Sequence, residues 1–465
     1  MEPLSLDEVV SSVHGEIVIR GNGEKFTEIN TDTRKINPGS LFIALKGENF
    51  NGNNFVAAAS SKGAVICIVD EINFNKGDLN CNTTVILVNN TRKALLDLAK
   101  YYRSKLDIKV IGITGSTGKT STKDLTCAVL SEKYKVFKTQ GNFNNEIGLP
   151  LMIFKLDKSY DAAILEMGMS NFNEIHNMAE AARPDIAVIT NIGISHIENL
   201  KTRQGILNAK LEITDFFNSD NTLIVNSDND MLYNVEKSLK NNKIKVIKTG
   251  ISTGDFKAKD IVLGENSISF KVYADKIFKG QFNVPVPGRH NVLNSLLAIA
   301  CGDLMNMTFQ EMAKGIQSIQ VTSMRLDIIK NGTITIINDT YNASPDSVKA
   351  AVDVLKNMQT GRKVAILGTM RELGDEAYNA HMDCGRYAAE NGVDLLIAIG
   401  EFSEAYNKGF NSIINTNGEF KEFNNFNDTI EYLKSYLKKE DCVLVKASRA
   451  MKFEQIVDKL KHVTL

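Results

Sequence analysis

Between residues 105 and 320, short apolar runs alternate with stretches of helical spacing: IKVIGITG (108–115), DAAILEMG (161–168), PDIAVITNIG (184–193) and NTLIVNSD (221–228). Runs this short, with no polar alternation, read as strands buried on both faces. Joined by helices, they predict a mostly parallel sheet covered on both sides. A β-rich patch at 260–287 and a helix beginning near His290 follow. From about 321 the alternation restarts with TITIINDTY (333–341), KVAILGTM (363–370), VDLLIAIG (393–400) and DCVLVKAS (441–448), a second and smaller α/β unit. Residues 1–104 mix short strands (41–45, 64–69) with a Gly- and Asn-rich loop (47–54), and 91–104 has helical spacing. A chain of 465 residues exceeds one core. The expected fold class is therefore α/β in three domains, 1–104, 105–320 and 321–465. No internal repeat is visible. The Asn-rich piece 415–428 reads as a surface loop, and KSLKNNKIKVIK (237–248) as a solvated helix face followed by a strand.

Composition narrows the function classes. Hydrophobic content of 43% and charged content of 23% are those of an ordinary globular protein. A net charge of −1 lacks the basic excess of a general nucleic-acid binder, so no nucleic-acid partner is expected. The start, MEPLSLDEVV, has no signal-peptide core, and no window approaches the roughly 18 apolar residues of a membrane span. Six scattered cysteines without a CxxC pair fit reduced thiols, and a cytoplasmic location is expected.

One loop carries the strongest chemical signal. A strand at 110–113 runs into Gly115, Ser116, Thr117, Gly118, Lys119, Thr120 and Ser121, and a helix starts near Lys119. Backbone N–H groups and the helix N-terminus then face a phosphate. Lys119 neutralises β/γ charge, and the Thr120 hydroxyl suits Mg²⁺. The common phosphate loop has a glycine five residues before the Gly of Gly-Lys. Ile113 holds that place here, so this loop is a shortened form.

Other candidates are weaker alone. Glu166 and His196 follow strand ends, where open α/β sheets bind ligands, and supply metal-type groups. Equally, Glu166 reads as a capping group and His196 as a surface histidine, since Mg²⁺ prefers oxygen to imidazole. Lys210 sits on a helical stretch and reads as solvent-exposed. Asn291 and Asn294, three apart, share a helix face and suit an adenine edge, although Asn291 also reads as a cap. The turn 339–345 opens a helix near Pro345, while Lys446 and Arg449 read as surface charge.

Together and in this order, the segments resemble the Mur ligase superfamily, which joins amino acids or peptides to a carboxylate with ATP. TGSTGKTS (114–121) is similar to its TGxxGKT[ST] loop. GNFNNEIGLPL (141–151), LEMGMS (165–170), ITNIGISHIENL (189–200), GRHNVLN (288–294), DTYNASPDS (339–347), LGTMRELGDEAYNAH (367–381) and VKASRAMKFE (445–454) extend the likeness. Within the superfamily they most resemble the ligases that add D-alanyl-D-alanine to UDP-N-acetylmuramoyl-tripeptide. No Asp-Asn-Pro-Arg motif, expected of the ligase adding the preceding residue, occurs in the last third.

The resemblance implies an N-terminal domain for the UDP-muropeptide, a central ATPase and a C-terminal Rossmann-like domain for the dipeptide. It implies that residues 115–121 hold ATP, with Asn291 and Asn294 at the adenine and Arg325 and Asp339 at the nucleotide across the domain gap. Thr120, Glu166, His196 and Lys210 are implied as the groups holding two Mg²⁺ ions, Lys210 at the position that family members carbamylate. Lys119, His196 and Lys210 are the implied catalytic residues. Thr33, Arg34 and Lys46 match the uridine-diphosphate region, and Asn144, Asn145 and Glu146 the muropeptide channel. Tyr341, Asn342 and Ser344 match the dipeptide and nucleotide pocket. A monomer working through an acyl phosphate, closing about hinges near Asp107 and Thr322, is expected. The alternatives are another Mur-type amide ligase of the folylpolyglutamate or cyanophycin kind, or an ATP-binding switch without catalysis. Asn51, Asn53, Asn173, Ala447 and Ala450 depart from the family pattern, the last three replacing glycines.

Overall fold

Each apolar run forms a strand buried along nearly its whole length, among them Lys109–Thr114, Ala162–Glu166, Ile186–Ile189, Thr222–Asn226 and Cys442–Lys446. The computed structural model describes residues 1–23, 25–241, 243–359, 361–414 and 417–463. Internal packing divides the chain into two units. One comprises Met1–Ile113, Tyr134–Ala187 and Glu212–Thr222; the other comprises Thr114–Lys133, Val188–Leu211 and Leu223–Leu465.

In the first unit a five-stranded sheet runs Glu16–Ile19, Thr84–Leu87, Ile66–Val69, Ser40–Ile43, Glu28–Asn30. Its first pair is antiparallel and the rest parallel. Asn90 caps helix Thr91–Ser104 by accepting the Lys93 amide, which is why the helix begins where the periodicity does. Strand Ala162–Glu166 pairs in parallel with Lys109–Thr114 and with Val136–Lys138. The register sets Glu166 opposite Ile113, so its carboxylate leaves the carboxyl end of the strand pair. Asn173 has φ 68° at the start of helix Glu174–Ala182. Asn tolerates this left-handed geometry, so its replacement of the family's glycine keeps the turn.

In the second unit a six-stranded sheet runs Asp327–Lys330, Thr335–Asn338, Cys442–Lys446, Lys363–Gly368, Leu395–Ile399, Glu419–Phe423. Only its first pair is antiparallel. Apolar clusters fill both faces: Val348, Leu355 and Tyr406 belong to one, Ile366, Phe453 and Leu460 to the other. The Ala447 methyl is wholly buried in the latter. The β-rich patch is the antiparallel meander Phe256–Leu263, Ile268–Ala274, Ile277–Val284. Ser344 caps helix Pro345–Lys356, with proline in its first turn where no amide donor is needed.

Two expectations are corrected. The piece 415–428 is not a loop: residues 415 and 416 lie outside the described residues, but Glu419–Phe423 is a strand and Phe426–Tyr436 a helix. Its asparagines misled because Asn425 is a helix cap, accepting from the Asp428 amide. The helix face expected at 237–248 shrinks to the 3₁₀ turn Val235–Ser238 before strand Lys245–Gly250. Residue 242, within that stretch, lies outside the described residues.

Candidate active site

The glycine loop leaves strand Lys109–Thr114 through Gly115, with φ 151°, and enters helix Lys119–Leu130 through Gly118, with φ 77°. A Cβ on Gly115 would lie 1.8 Å from Thr190 Oγ1, and one on Gly118 would lie 2.8 Å from Asn294 Oδ1. Both positions therefore require glycine. The segment after strand Ile186–Ile189 braces the loop. Ser116 N–H donates to Asn191 O (3.0 Å), Thr117 N–H to Asn191 Oδ1 (2.8 Å), and Gly193 N–H to Ser116 Oγ (2.9 Å). Lys119 Nζ folds back to Gly115 O at 2.7 Å.

A cavity of about 600 Å³ opens over this loop. Ser116, Thr117, Gly118, Lys119 and Ser121 line it, together with His196, Asn291, Asn294, Arg325, Asp339, Asn342 and Ser344. Asn294 donates to Asn291 Oδ1 (3.0 Å), and Asn291 donates to Pro287 O (2.7 Å), which fixes both amides on one helix face. Arg325 donates from Nη2 to Thr120 Oγ1 (3.0 Å), with its guanidinium 4.1 Å over the Tyr341 ring. Thr322 gives both its N–H and its hydroxyl to Asp124 Oδ2, at 3.0 and 2.7 Å.

Two readings of exposure are overturned. Lys210 is not on the surface: on helix Arg203–Leu211 its residue is only 1% exposed. Burial first, and the Lys119 charge second, push its amine well below lysine's usual range. Lys446 is likewise not surface charge. It is 2% exposed, donates to Asp339 Oδ2 (2.5 Å) and Asn342 O (2.9 Å), and is held below its usual range by burial, with Asp339 opposing. Sequence reasoning gave Asp339 a role and missed its cation, which lies far along the chain. His290, Arg371, Glu372, Ser448 and Arg449 also line the cavity without having been selected. All fall in motifs already read, but only packing brings them to the cavity wall.

His196 has φ 64°, and its Nδ1 lies 2.8 Å from Glu372 Oε2 without hydrogen-bond alignment. In the first unit, buried Glu166 accepts from Asn144 Nδ2 (2.9 Å). Asn145 Oδ1 accepts the Gly148 amide (2.8 Å), and Glu146 accepts from Asn177 (2.7 Å). Arg34 pairs with Asp32, whose oxygens also take the Arg34 amide; Thr33 O accepts from Lys62. Lys46 Nζ lies 2.6 Å from Glu71 and 3.2 Å from Asp70. Asn51 and Asn53 join that cluster, donating to Glu71 and Asp70 at 2.7 Å each, so the departures from the family pattern build a polar network. Among the described residues no three His, Cys, Asp or Glu side chains gather as a metal cluster. Mg²⁺ fits the present groups in another way: it takes few protein oxygens and shares the rest with phosphate and water.

Three family models match in succession: Mur ligase family, catalytic domain (25–103), Mur ligase middle domain (113–302), and Mur ligase, glutamate ligase domain (324–449). A Bacillus subtilis UDP-N-acetylmuramoyl-tripeptide–D-alanyl-D-alanine ligase is 39% identical over 93% of this chain and 92% of its own. The chain belongs to the Mur ligase family. A crystal structure of MurF from Acinetobacter baumannii superposes on this Mur ligase with a TM-score of 0.91 at 29% identity, covering 99% of each chain. MurF from Thermotoga maritima, in complex with ADP, gives 0.82 at 26% identity over 93% of this chain and 97% of its own. The three-domain α/β architecture expected from the motifs is the family's.

Proposed function

We propose that this Mur ligase joins D-alanyl-D-alanine to UDP-N-acetylmuramoyl-tripeptide with ATP, forming the UDP-N-acetylmuramoyl-pentapeptide precursor of peptidoglycan. The observation that carries this is the near-full-length identity to a relative bearing that name. Residues 1–104 are assigned to the UDP-muropeptide, 105–320 to ATP and 321–465 to the dipeptide. Cytoplasmic location and a monomeric state belong to the same reading. No helix among the described residues is long and apolar enough to cross a membrane.

The tripeptide carboxylate attacks the γ-phosphate of ATP, and the loop amides with Lys119 spread the charge of the transferring group. Asn291 and Asn294 hold the adenine, and Arg325, stacked on Tyr341, reaches the nucleotide from the C-terminal domain. The dipeptide amine then displaces phosphate from the acyl phosphate, which must be kept from water. Domain closure about Thr322, anchored on Asp124, provides that exclusion. Mg²⁺, when bound, would neutralise phosphate charge; Thr120, His196 and Lys210 are the groups that would hold it, with Glu166 a further candidate ligand. Burial disfavours the charged form of the Lys210 amine, which suits it to add CO₂, and the resulting carbamate is an oxygen donor where an ammonium would repel a cation. Thr33, Arg34 and Lys46 are assigned to the uridine diphosphate, Asn144, Asn145 and Glu146 to the peptide, and Tyr341, Asn342 and Ser344 to the dipeptide.

The test is phosphate release from ATP with UDP-N-acetylmuramoyl-tripeptide, with and without D-alanyl-D-alanine, alongside product mass. Release and a mass gain of one dipeptide, both requiring the dipeptide, are expected. Tripeptides ending in diaminopimelate and in L-lysine, run in parallel, identify the third residue. ATP binding with no stimulation by either substrate refutes the assignment.

A further inference from the structure

We propose that Asp346 receives the amine of the incoming dipeptide: its carboxylate binds the dipeptide ammonium at the mouth of the phosphate loop and takes its proton. This rests on the ligase reading above and deepens it. Asp346 lies in the first turn of helix Pro345–Lys356. A Cβ on Gly193 would meet Asp346 Oδ2 at 2.2 Å and Ser116 Cβ at 3.4 Å, so the carboxylate stands against the segment that braces the loop. It borders both the cavity over the loop and an adjoining one of about 490 Å³.

The adjoining cavity holds three other carboxylates, and each is engaged. Asp228 accepts the Ile251, Ser252 and Thr253 amides, Asp230 pairs with Arg203, and Asp383 pairs with Arg386. Asp346 alone of the four has no hydrogen bond or ion pair among the described residues. A carboxylate beside a loop built for phosphate oxygens repels them unless a cation lies between. The ammonium that must reach the acyl phosphate is such a cation. The charged groups acting on Asp346 are Lys349 on its own helix, Arg203 and Asp230. Asp346 keeps one side open to solvent, but the protein packed around its carboxyl group strips water from it and raises it above the usual range, which makes it a better proton acceptor; Lys349 and Arg203 oppose, and Asp230 adds.

The step balances. One ammonium proton passes to Asp346, and the neutral amine adds to the carbonyl carbon of the acyl phosphate. The carbon–oxygen bond to phosphate breaks, and the second nitrogen proton leaves with hydrogen phosphate. One proton stays on the amide, and Asp346 returns its own to solvent.

The experiment compares Asp346→Asn and Asp346→Glu with the unsubstituted enzyme in two reactions. One is dipeptide ligation. The other is trapping of the acyl phosphate as a hydroxamate by hydroxylamine, a neutral nucleophile that needs no base. Asp346→Asn is expected to lower kcat/KM for D-alanyl-D-alanine about 100-fold. It should leave hydroxamate formation and thermal melting at the unsubstituted level, and remove the acidic limb of the dipeptide pH profile. Asp346→Glu should recover part of the loss. Unchanged dipeptide kinetics, or hydroxamate falling in parallel, overturns the role of Asp346 while leaving the ligase reading standing. An unsubstituted enzyme that makes neither hydroxamate nor amide overturns both.

Discussion

Replacing Lys210 with methionine separates what a buried amine does for stability from what it does for chemistry. The residue is 1% exposed, and its Nζ makes no hydrogen bond or ion pair among the described residues. An ordinary lysine, with a pKa of about 10.4, is neutral in roughly one molecule in 2,500 at pH 7, and each unit of depression raises that tenfold. Burial first, and the Lys119 charge second, lower the Lys210 amine well below lysine's usual range, which favours its neutral form. Methionine keeps the length and apolar stem but removes the nitrogen. An unpartnered buried polar group costs about 1–3 kcal/mol, so Lys210→Met should be neutral or stabilising by up to that amount. If instead the amine were half of a buried ion pair, its loss would cost about 3–5 kcal/mol. Turnover should fall at least about 100-fold, the scale of losing one electrostatic group aimed at a reacting centre. Hydrogen exchange on helix Arg203–Leu211 reads the local stability, which a global midpoint blurs in a multidomain chain. Phosphate release reads turnover, and ¹³C-bicarbonate gives a carbamate carbonyl signal in the parent only. A variant destabilised on the ion-pair scale, or one retaining turnover, would falsify the reasoning.

Three further outcomes are expected. Gly115→Ala should abolish ATP binding in calorimetry and lower stability by about 2 kcal/mol or more, since its methyl would sit 1.8 Å from Thr190 Oγ1; retained binding refutes the loop assignment. His381 is held neutral, donating from Nδ1 to Ala377 O (2.6 Å) and accepting the Met370 amide at Nε2 (2.8 Å). Burial lowers its pKa from 6.5 to about 4, so the unfolded chain binds the proton first on acidification. Stability should therefore fall as pH drops through that window, by up to about 3 kcal/mol, and melting curves of His381→Gln should show a shallower decline. Asp441→Ala should destabilise the C-terminal domain by about 3–5 kcal/mol. Its 2%-exposed side chain holds Arg362 at 2.7 Å and caps the Lys438 amide; a melting point within a degree of the parent argues against that.

Local chemistry made much of the fold legible. The strands, helix Thr91–Ser104 and the helix opening near Pro345 follow from apolar spacing and from residues suited to a helix start. The shortened loop was equally readable, because a left-handed turn and a close backbone approach leave glycine as the only choice. Asparagine was ambiguous for the same local reason: at 425 it caps a helix, and at 173 it takes a left-handed turn.

By itself, then, the sequence determined the elements, their order and the family motifs, since these rest on interactions within a few residues. Only tertiary structure decided which polar side chains are buried and with whom. Lys446 meets Asp339 across 107 positions and Thr322 meets Asp124 across 198, and no local pattern encodes either pairing. Lys210 loses its solvent, and Asp346 faces Gly193, because distant segments pack there. Desolvation and charge proximity set the chemistry of such groups, and both are properties of the assembled neighbourhood rather than of the residue.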